Sequence, residues 1–206
     1  MIGCALAASR RRLADVLLAA GAGAGDPRSM IIPDTKDWTW VLERPCAECG
    51  LNAGSVGREE VAGLVRANAA SWVALLAGDA AALRERPGPD VWSELEYACH
   101  VRDVFRLFAF RLDLMLTQDD PVFPNWDQDE TAVAGNYGDQ DPARVSVELA
   151  EAAEVLAGAF ERVDEAAWER VGRRSDGAGF TVESFARYLL HDVVHHVFDV
   201  TGSQQA

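Results

Sequence analysis

Apolar residues recur every three or four positions in four long segments of the chain. The segments lie at residues 59–76, 93–117, 142–163 and 182–200. This spacing places the apolar side chains on one face of a helix, which is typical of amphipathic helices that pack on a shared core. No segment shows a convincing strand pattern. The sequence therefore predicts an all-α protein, a four-helix bundle in which metal sites can be built from side chains on facing helices.

Helix starts can be read from capping residues. Ser93 followed by Glu96 fits a capping box, and Asp141 followed by Pro142 places a cap before a proline in the first turn. Thr181 can cap the last helix in the same way. The second helix is apolar almost all round, which predicts a central position in the bundle or one half of a dimer interface. A homodimer is accordingly one expectation for this chain.

The long connection between the second and third helices is polar and rich in turn residues. It covers residues 121–141, and connections of this length in compact domains are often functional. We expect a crossover here, with Trp126 and Asp127 in a loop at the mouth of a pocket. Asp129 could line the same pocket, although the alternative, a cap for a short helical turn from Glu130, is the simpler interpretation.

Composition narrows the class of protein. A chain of 206 residues with 49% hydrophobic content can bury one sizeable core. The net charge of −14 argues against nucleic acid and against an anionic membrane surface as partners. Four cysteines are too few for a disulfide scaffold, and no apolar run approaches the length of a membrane span. These features predict a cytoplasmic protein.

The charge and glycine content divide the chain into segments. Residues 1–29 hold an arginine cluster and the run GAGAG, which predicts a flexible extension before a second natural start at Met30. Residues 30–57 form an N-terminal segment with a CxxCG motif, residues 58–201 form the bundle, and residues 202–206 form a tail.

Three of the four histidines lie close together on the last helix. His191 and His195 are four residues apart, so both occupy one helix face and can converge on one metal ion. His196 points about 100° away from them. A third ligand must then come from another helix, and His100, which interrupts an apolar stripe, is the remaining histidine. The alternative is that the pair only caps, hydrogen-bonds or lines a surface.

The CxxCG motif is a second candidate for chemistry. Cys46 and Cys49 have the spacing of two zinc ligands, and Gly50 lets the chain turn tightly after them. A closed zinc site needs four ligands, however, and the chain has no second CxxC. Three interpretations stay open: zinc completed by another residue or chain, a redox pair, or a pair with a structural or unassigned role.

The order of these helices, together with the segments YACHVRDVF and YLLHDVVHHVFDV, resembles the DinB/YfiT-like superfamily, to which mycothiol-dependent maleylpyruvate isomerase-like proteins are related. The resemblance implies a four-helix bundle with a long crossover between helices 2 and 3. It also implies a divalent metal, most often zinc or nickel, held by His100, His191 and His195. Asp199 could support His195 as an acceptor for its second ring nitrogen, or it could be only a solvated residue near the C-terminal end. The CxxCG motif is a departure from the better-known members.

Two functions are compatible with this resemblance. The first is a thiol S-transferase or isomerase that joins a small-molecule thiol, with mycothiol as the favoured co-substrate, to a small electrophile. The alternative is a non-catalytic metal-binding protein with a stress or interaction role. A metal site that opens into a pocket favours the first function, whereas a site closed by a fourth protein ligand favours the second.

Overall fold

The computed structural model describes residues 37–204, so the predicted extension at residues 1–29 lies outside the described residues. The α-helices are α1 (Val61–Leu75), α2 (Glu94–Thr117), α3 (Gln128–Ala134), α4 (Pro142–Phe160) and α5 (Val182–Thr201). The strands are β1 (Val122–Phe123), β2 (Val171–Arg174) and β3 (Gly179–Thr181). Within residues 37–204, no helix is both long enough and apolar enough to cross a membrane.

The four long helices and their predicted caps are confirmed. The Ser93 side chain accepts a hydrogen bond from the Glu96 N–H, and the Glu96 carboxylate accepts one from the Ser93 N–H at 2.8 Å. The Asp141 side chain caps α4 ahead of Pro142, and Thr181 caps α5. These bonds satisfy N–H groups that the first turn of a helix leaves without partners, so each helix begins where its cap stands.

The helices enclose one main core. Helices α1 and α2 each pack against both α4 and α5. The largest fully buried side chains include Trp72 of α1, Phe105 of α2, Leu149 of α4 and Leu189 of α5. Burying a side chain of this size contributes about 1.5–3 kcal/mol, so the apolar stripes seen in the sequence account for the assembly of the bundle.

A small sheet corrects the expectation that the chain has no strands. Strand β1 pairs in parallel with β2, and β2 pairs antiparallel with β3. The strands were missed because each is four residues or shorter, which is too short for an alternating pattern to stand out. Gly172 lies against α2, and a Cβ there would come within 2.8 Å of Met115. The sheet thus holds the crossover loop and Arg174 against the bundle.

The crossover contains α3, and its cap is Asp127. The Asp127 side chain accepts a hydrogen bond from the Glu130 N–H at 2.8 Å. The alternative role considered for Asp129, a cap of this helix, is therefore wrong, because the cap lies two residues earlier at Asp127. Asp127 both begins α3 and lines the cleft described below.

The N-terminal segment packs across α5. Three short 3₁₀ helices, Trp38–Leu42, Ala53–Ser55 and Arg58–Glu60, wind along the bundle, and the first two contact α5. Cys46 and Cys49 form a small buried cluster with Val194, separate from the main core. This contact brings the CxxCG motif to the helix that carries the histidines.

Candidate metal centres

Helix α5 presents two adjacent faces to two different neighbours. His191 and His195 lie on the face that meets the N-terminal segment, while Asp192 and His196 lie one residue further round. Successive residues of a helix differ by about 100°, so each pair spaced by four residues shares a face and the two pairs diverge. One helix therefore contributes to two separate groups of potential metal ligands.

We call the first group the Cys–His group; it consists of Cys46, Cys49, His191 and His195. One ligand atom from each residue lies within 4.8 Å of the others, and all four side chains are buried. The Cys46 Sγ is 3.7 Å from Nδ1 of His195. Among residues 37–204, Nε2 of His191 finds no hydrogen-bond partner.

The backbone of the CxxCG turn aims both thiols at α5. The Gly50 N–H donates to the Cys46 carbonyl at 2.9 Å, and the Cys46 N–H donates to the Leu51 carbonyl at 2.9 Å. Gly50 has φ +81°, a left-handed conformation that glycine adopts without penalty. Burial raises the pKa of the Cys49 thiol to about 11, although the Leu51 N–H acts in the opposite direction.

The outer nitrogen of His195 faces two carboxylates. Its Nε2 lies 3.2 Å from the Glu48 carboxylate and 3.5 Å from the Asp199 carboxylate. The Trp38 ring covers the group, with its centroid 5.0 Å from that of His195 and 5.4 Å from that of His191. Burial, together with the nearby His195, lowers the pKa of His191 to about 4, so the His191 ring is available as a neutral metal ligand.

We call the second group the His–Asp group; it consists of His100 from α2 with Asp192 and His196 from α5. Their candidate ligand atoms lie within 4.8 Å of one another. The His196 Nε2 is 3.8 Å from the Asp192 Oδ1, and its Nδ1 is 3.0 Å from the Asp199 Oδ2. Burial lowers the pKa of His100 well below its usual range and raises the pKa of Asp192.

The His–Asp group has the unsatisfied polar atoms expected of a metal site. Neither ring nitrogen of His100 has a hydrogen-bond partner in the described part of the chain, and the same is true of Oδ2 of Asp192. Buried polar atoms in proteins are almost always paired, so these atoms call for a ligand. Two imidazoles and a carboxylate suit zinc and other divalent transition metals.

The His–Asp group lies at a cleft of about 620 Å³. Trp126 stacks on His100 with ring centroids 5.3 Å apart and an interplanar angle of 14°, and Trp92 approaches His100 at 5.1 Å. Trp38 and Glu48 of the N-terminal segment also line the cleft. Two indole rings against His100 restrict the water around it while the cleft leaves room for a small molecule.

Two arginines form a cationic wall of the same cleft. Arg111 is buried; its Nη2 donates to the Pro124 carbonyl at 3.0 Å, and its Nε has no partner among residues 37–204. Arg174 pairs with Asp176 and donates to the Tyr188 hydroxyl at 3.3 Å. Burial, followed by the nearby charge of Arg174, lowers the pKa of Arg111 to about 10. An anion bound at this wall would stabilise both cations.

The structure distributes the predicted site residues between these two groups. His100 does not join His191 and His195; it lies with His196, because α2 packs against the 192/196 face of α5. The predicted triad of His100, His191 and His195 stays a prediction that this arrangement does not favour. The sequence argument counted only histidines as possible third ligands, so it did not consider a carboxylate such as that of Asp192.

Several functional candidates were not found from the sequence. Asp192 precedes His196 by four residues, the same spacing as the histidine pair, and this signal could have been used. Arg111 and Arg174 carry no sequence signal, because they are brought together only by the pairing of β1 with β2. Trp126 and Asp127, predicted as a pocket loop, both line the cleft, and so does Asp129, which was considered for the same pocket.

A sequence model of the DinB superfamily matches residues 63–198, which is more than half of the chain. The chain belongs to the DinB superfamily. The match includes α2 and the histidine-bearing part of α5, whereas the CxxCG motif lies before it. Among curated proteins, no sequence matches this chain.

Solved structures similar to this DinB protein support the fold. YfiT from Bacillus subtilis, described as a probable metal-dependent hydrolase with an unusual four-helix bundle topology, is 16% identical with a TM-score of 0.65. That match covers 72% of this chain and 87% of YfiT. The mycothiol-dependent maleylpyruvate isomerase is 15% identical with a TM-score of 0.57; the match covers 70% of this chain and 61% of the isomerase. A mutant of the isomerase matches equally well.

Proposed function

We propose that this protein is a metal-dependent S-transferase or isomerase that acts on a low-molecular-weight thiol and a small electrophile. The observation that carries the proposal is the His–Asp group, which lines the cleft and in which both buried ring nitrogens of His100 have no hydrogen-bond partner among residues 37–204. Three protein ligands beside open space are the arrangement of catalytic metal sites, whereas structural sites are closed by four.

His100, Asp192 and His196 are the residues that would hold the metal. A divalent ion bound there would supply positive charge that favours the thiolate form of an incoming thiol, whose ordinary pKa is about 8.5. His100 is buried and its pKa is lowered, so it remains a neutral donor at physiological pH. Asp199 contacts Nδ1 of His196 and fixes the orientation of that ring.

The cleft walls would position the two substrates. Trp126 and Trp92 pack on His100 and exclude water from one side of the group. Arg111 and Arg174 would hold an anionic part of a substrate, because a guanidinium with an unsatisfied buried N–H binds a carboxylate strongly. The favoured electrophile thus carries a carboxylate.

Mycothiol is the thiol that we propose first. Its support is the likeness in fold to the mycothiol-dependent maleylpyruvate isomerase, which depends on mycothiol. A metal-dependent hydrolase is a second candidate, supported in the same way by YfiT. The non-catalytic alternative draws support from the Cys–His group, which four buried side chains close.

The test is conjugation of monochlorobimane with mycothiol, bacillithiol, glutathione or cysteine. In this reaction the thiol sulfur forms a C–S bond, chloride leaves with the bonding electron pair, and the thiol proton passes to solvent. We expect conjugation above the uncatalysed rate with one thiol, and its loss in His100→Ala and His196→Ala. Arg173→Gln, which changes an exposed arginine beside the cleft residue Arg174, is the control and should keep full activity.

Two outcomes would contradict the proposal. The first is a conjugation rate no higher than the uncatalysed rate for all four thiols with the metal-loaded protein. The second is full activity in His100→Ala. Ester and amide hydrolysis assayed on the same preparations would then separate the hydrolase from the non-catalytic alternative.

A further inference from the structure

We propose that Cys46, Cys49, His191 and His195 bind a zinc ion in a closed, structural site that is distinct from the His–Asp group. The four ligand atoms lie within 4.8 Å of one another, which an ion at their centre would bridge with small side-chain adjustments. Cys46 and His195 are 149 residues apart in sequence, so this cluster is a product of the tertiary structure.

The ligand types select zinc. Two thiolates and two imidazoles make a tetrahedral Cys₂His₂ set, the composition of many structural zinc sites, with Zn–S about 2.3 Å and Zn–N about 2.0–2.1 Å. Thiolates also disfavour the hard cations magnesium and calcium. These four buried side chains would fill all four positions of a tetrahedral ion and leave none open for substrate, although His191 and His195 also line the cleft.

The outer contacts of His195 match those of a metal-bound histidine. Its Nδ1 faces the Cys46 thiol, so its Nε2 can donate its proton to Glu48 and Asp199. Such carboxylate partners orient ligating histidines and raise their basicity. Trp38 covers the rings on the remaining side and limits access of water.

The alternative interpretations explain fewer of these contacts. A disulfide between Cys46 and Cys49 would leave Nε2 of His191 buried and, within the described residues, still without a partner. A purely apolar role for the cysteines conflicts with the two buried imidazoles beside them, since a buried polar atom left without a partner is destabilising. A zinc ion satisfies all four side chains at once.

The consequence for the molecule is a link between the N-terminal segment and α5. Zinc would hold the CxxCG turn on His191 and His195, and with it Trp38 and Glu48, which line the cleft. His195 adjoins His196, so the same link would also set the rotation of α5 at the His–Asp group. The Cys–His group, whose two histidines also line the cleft, would then stabilise the cleft wall.

The first experiment uses the full-length protein with cobalt in place of zinc. Thiolate coordination to cobalt(II) gives an intense near-ultraviolet charge-transfer band, which imidazole and carboxylate ligands do not give. We expect this band in the wild type, in His100→Ala and in Cys99→Ala, a control that removes a buried cysteine outside the group. We expect it to be about half as intense or weaker in Cys46→Ser, which leaves Cys49 as the one thiolate of the group.

The second experiment does not depend on the folding of a variant. Wild-type protein loaded with zinc is treated with a mercurial that modifies thiols, and released zinc is followed with a chromophoric chelator. We expect thiol modification to release one zinc ion per chain. In His100→Ala the same amount should be released, which separates this site from the proposed catalytic group.

Three results would overturn the proposal: no charge-transfer band in the cobalt-loaded wild type, no zinc release on thiol modification, or a Cys46–Cys49 disulfide in protein purified without oxidant. Failure of the His100→Ala conjugation test alone would refute the proposed enzyme and leave the zinc site standing.

Discussion

Asp199 offers the sharpest test of the two-site arrangement, because one carboxylate contacts a histidine of each group. Its Oδ2 is 3.0 Å from Nδ1 of His196, and its Oδ1 is 3.5 Å from Nε2 of His195. Replacing Asp199 by Asn keeps the shape of the side chain and removes the charge. We predict that Asp199→Asn weakens metal binding at both groups.

The expected loss of metal affinity in Asp199→Asn follows from these contacts. Loss of an outer partner of a metal-bound histidine typically costs about 10–100-fold in metal affinity, which equals about 1.4–2.8 kcal/mol. The His–Asp group should lose toward the upper end, about 100-fold, because its contact is short. The Cys–His group should lose about 10-fold, because Glu48 also lies within 3.2 Å of His195 and can still accept.

The assay is competition for zinc with a chromophoric chelator, carried out so that each group is measured alone. Asp199→Asn in a His100→Ala background reports on the Cys–His group, and in a Cys46→Ser background it reports on the His–Asp group. Glu151→Gln removes one negative charge from an exposed position of α4, outside both groups, and controls for net charge. Affinities within about twofold of the parent at both groups would refute the outer-partner reasoning.

Three further predictions address the cleft, the turn and the bundle. Arg111→Gln should raise the KM for an acidic electrophile by about 10–100-fold, since a hydrogen bond to a charged group contributes about 1.5–3 kcal/mol. The control Arg173→Gln should leave the KM unchanged, and an unchanged KM in Arg111→Gln would show that Arg111 does not bind the substrate. Gly50→Ala should lower the free energy of unfolding, measured in denaturant, by about 1–2 kcal/mol, because φ +81° is strained for residues with a Cβ. An unchanged free energy of unfolding would mean that the turn changes conformation to accommodate the alanine, which would contradict the prediction. Although burial raises the pKa of Glu96, its bonds to Arg86 and the α2 N-terminus outweigh this and hold the pKa below its ordinary value. The resulting stability is present above the ordinary pKa and is lost as pH falls through the lowered value, so Glu96→Gln should flatten the acid side of a stability–pH profile.

Helix formation and the bundle were predictable because they depend on local patterns. The apolar stripes and the caps at Ser93, Asp141 and Thr181 act within a few residues of chain, so the sequence determined the four long helices and three of their starting points. The strands were not predictable in this way. Each is short, and its stability comes from pairing with a segment far away in the chain.

The candidate ligands were partly visible in the sequence, and their grouping was not. Spacing by four residues determined that His191 and His195 share a face and that His196 lies on another. Which neighbour meets each face is decided by packing: the N-terminal segment brings Cys46 and Cys49 to the first face, and α2 brings His100 to the second. Helical periodicity describes one helix at a time, so only the tertiary structure could decide which residues from distant segments share a metal site.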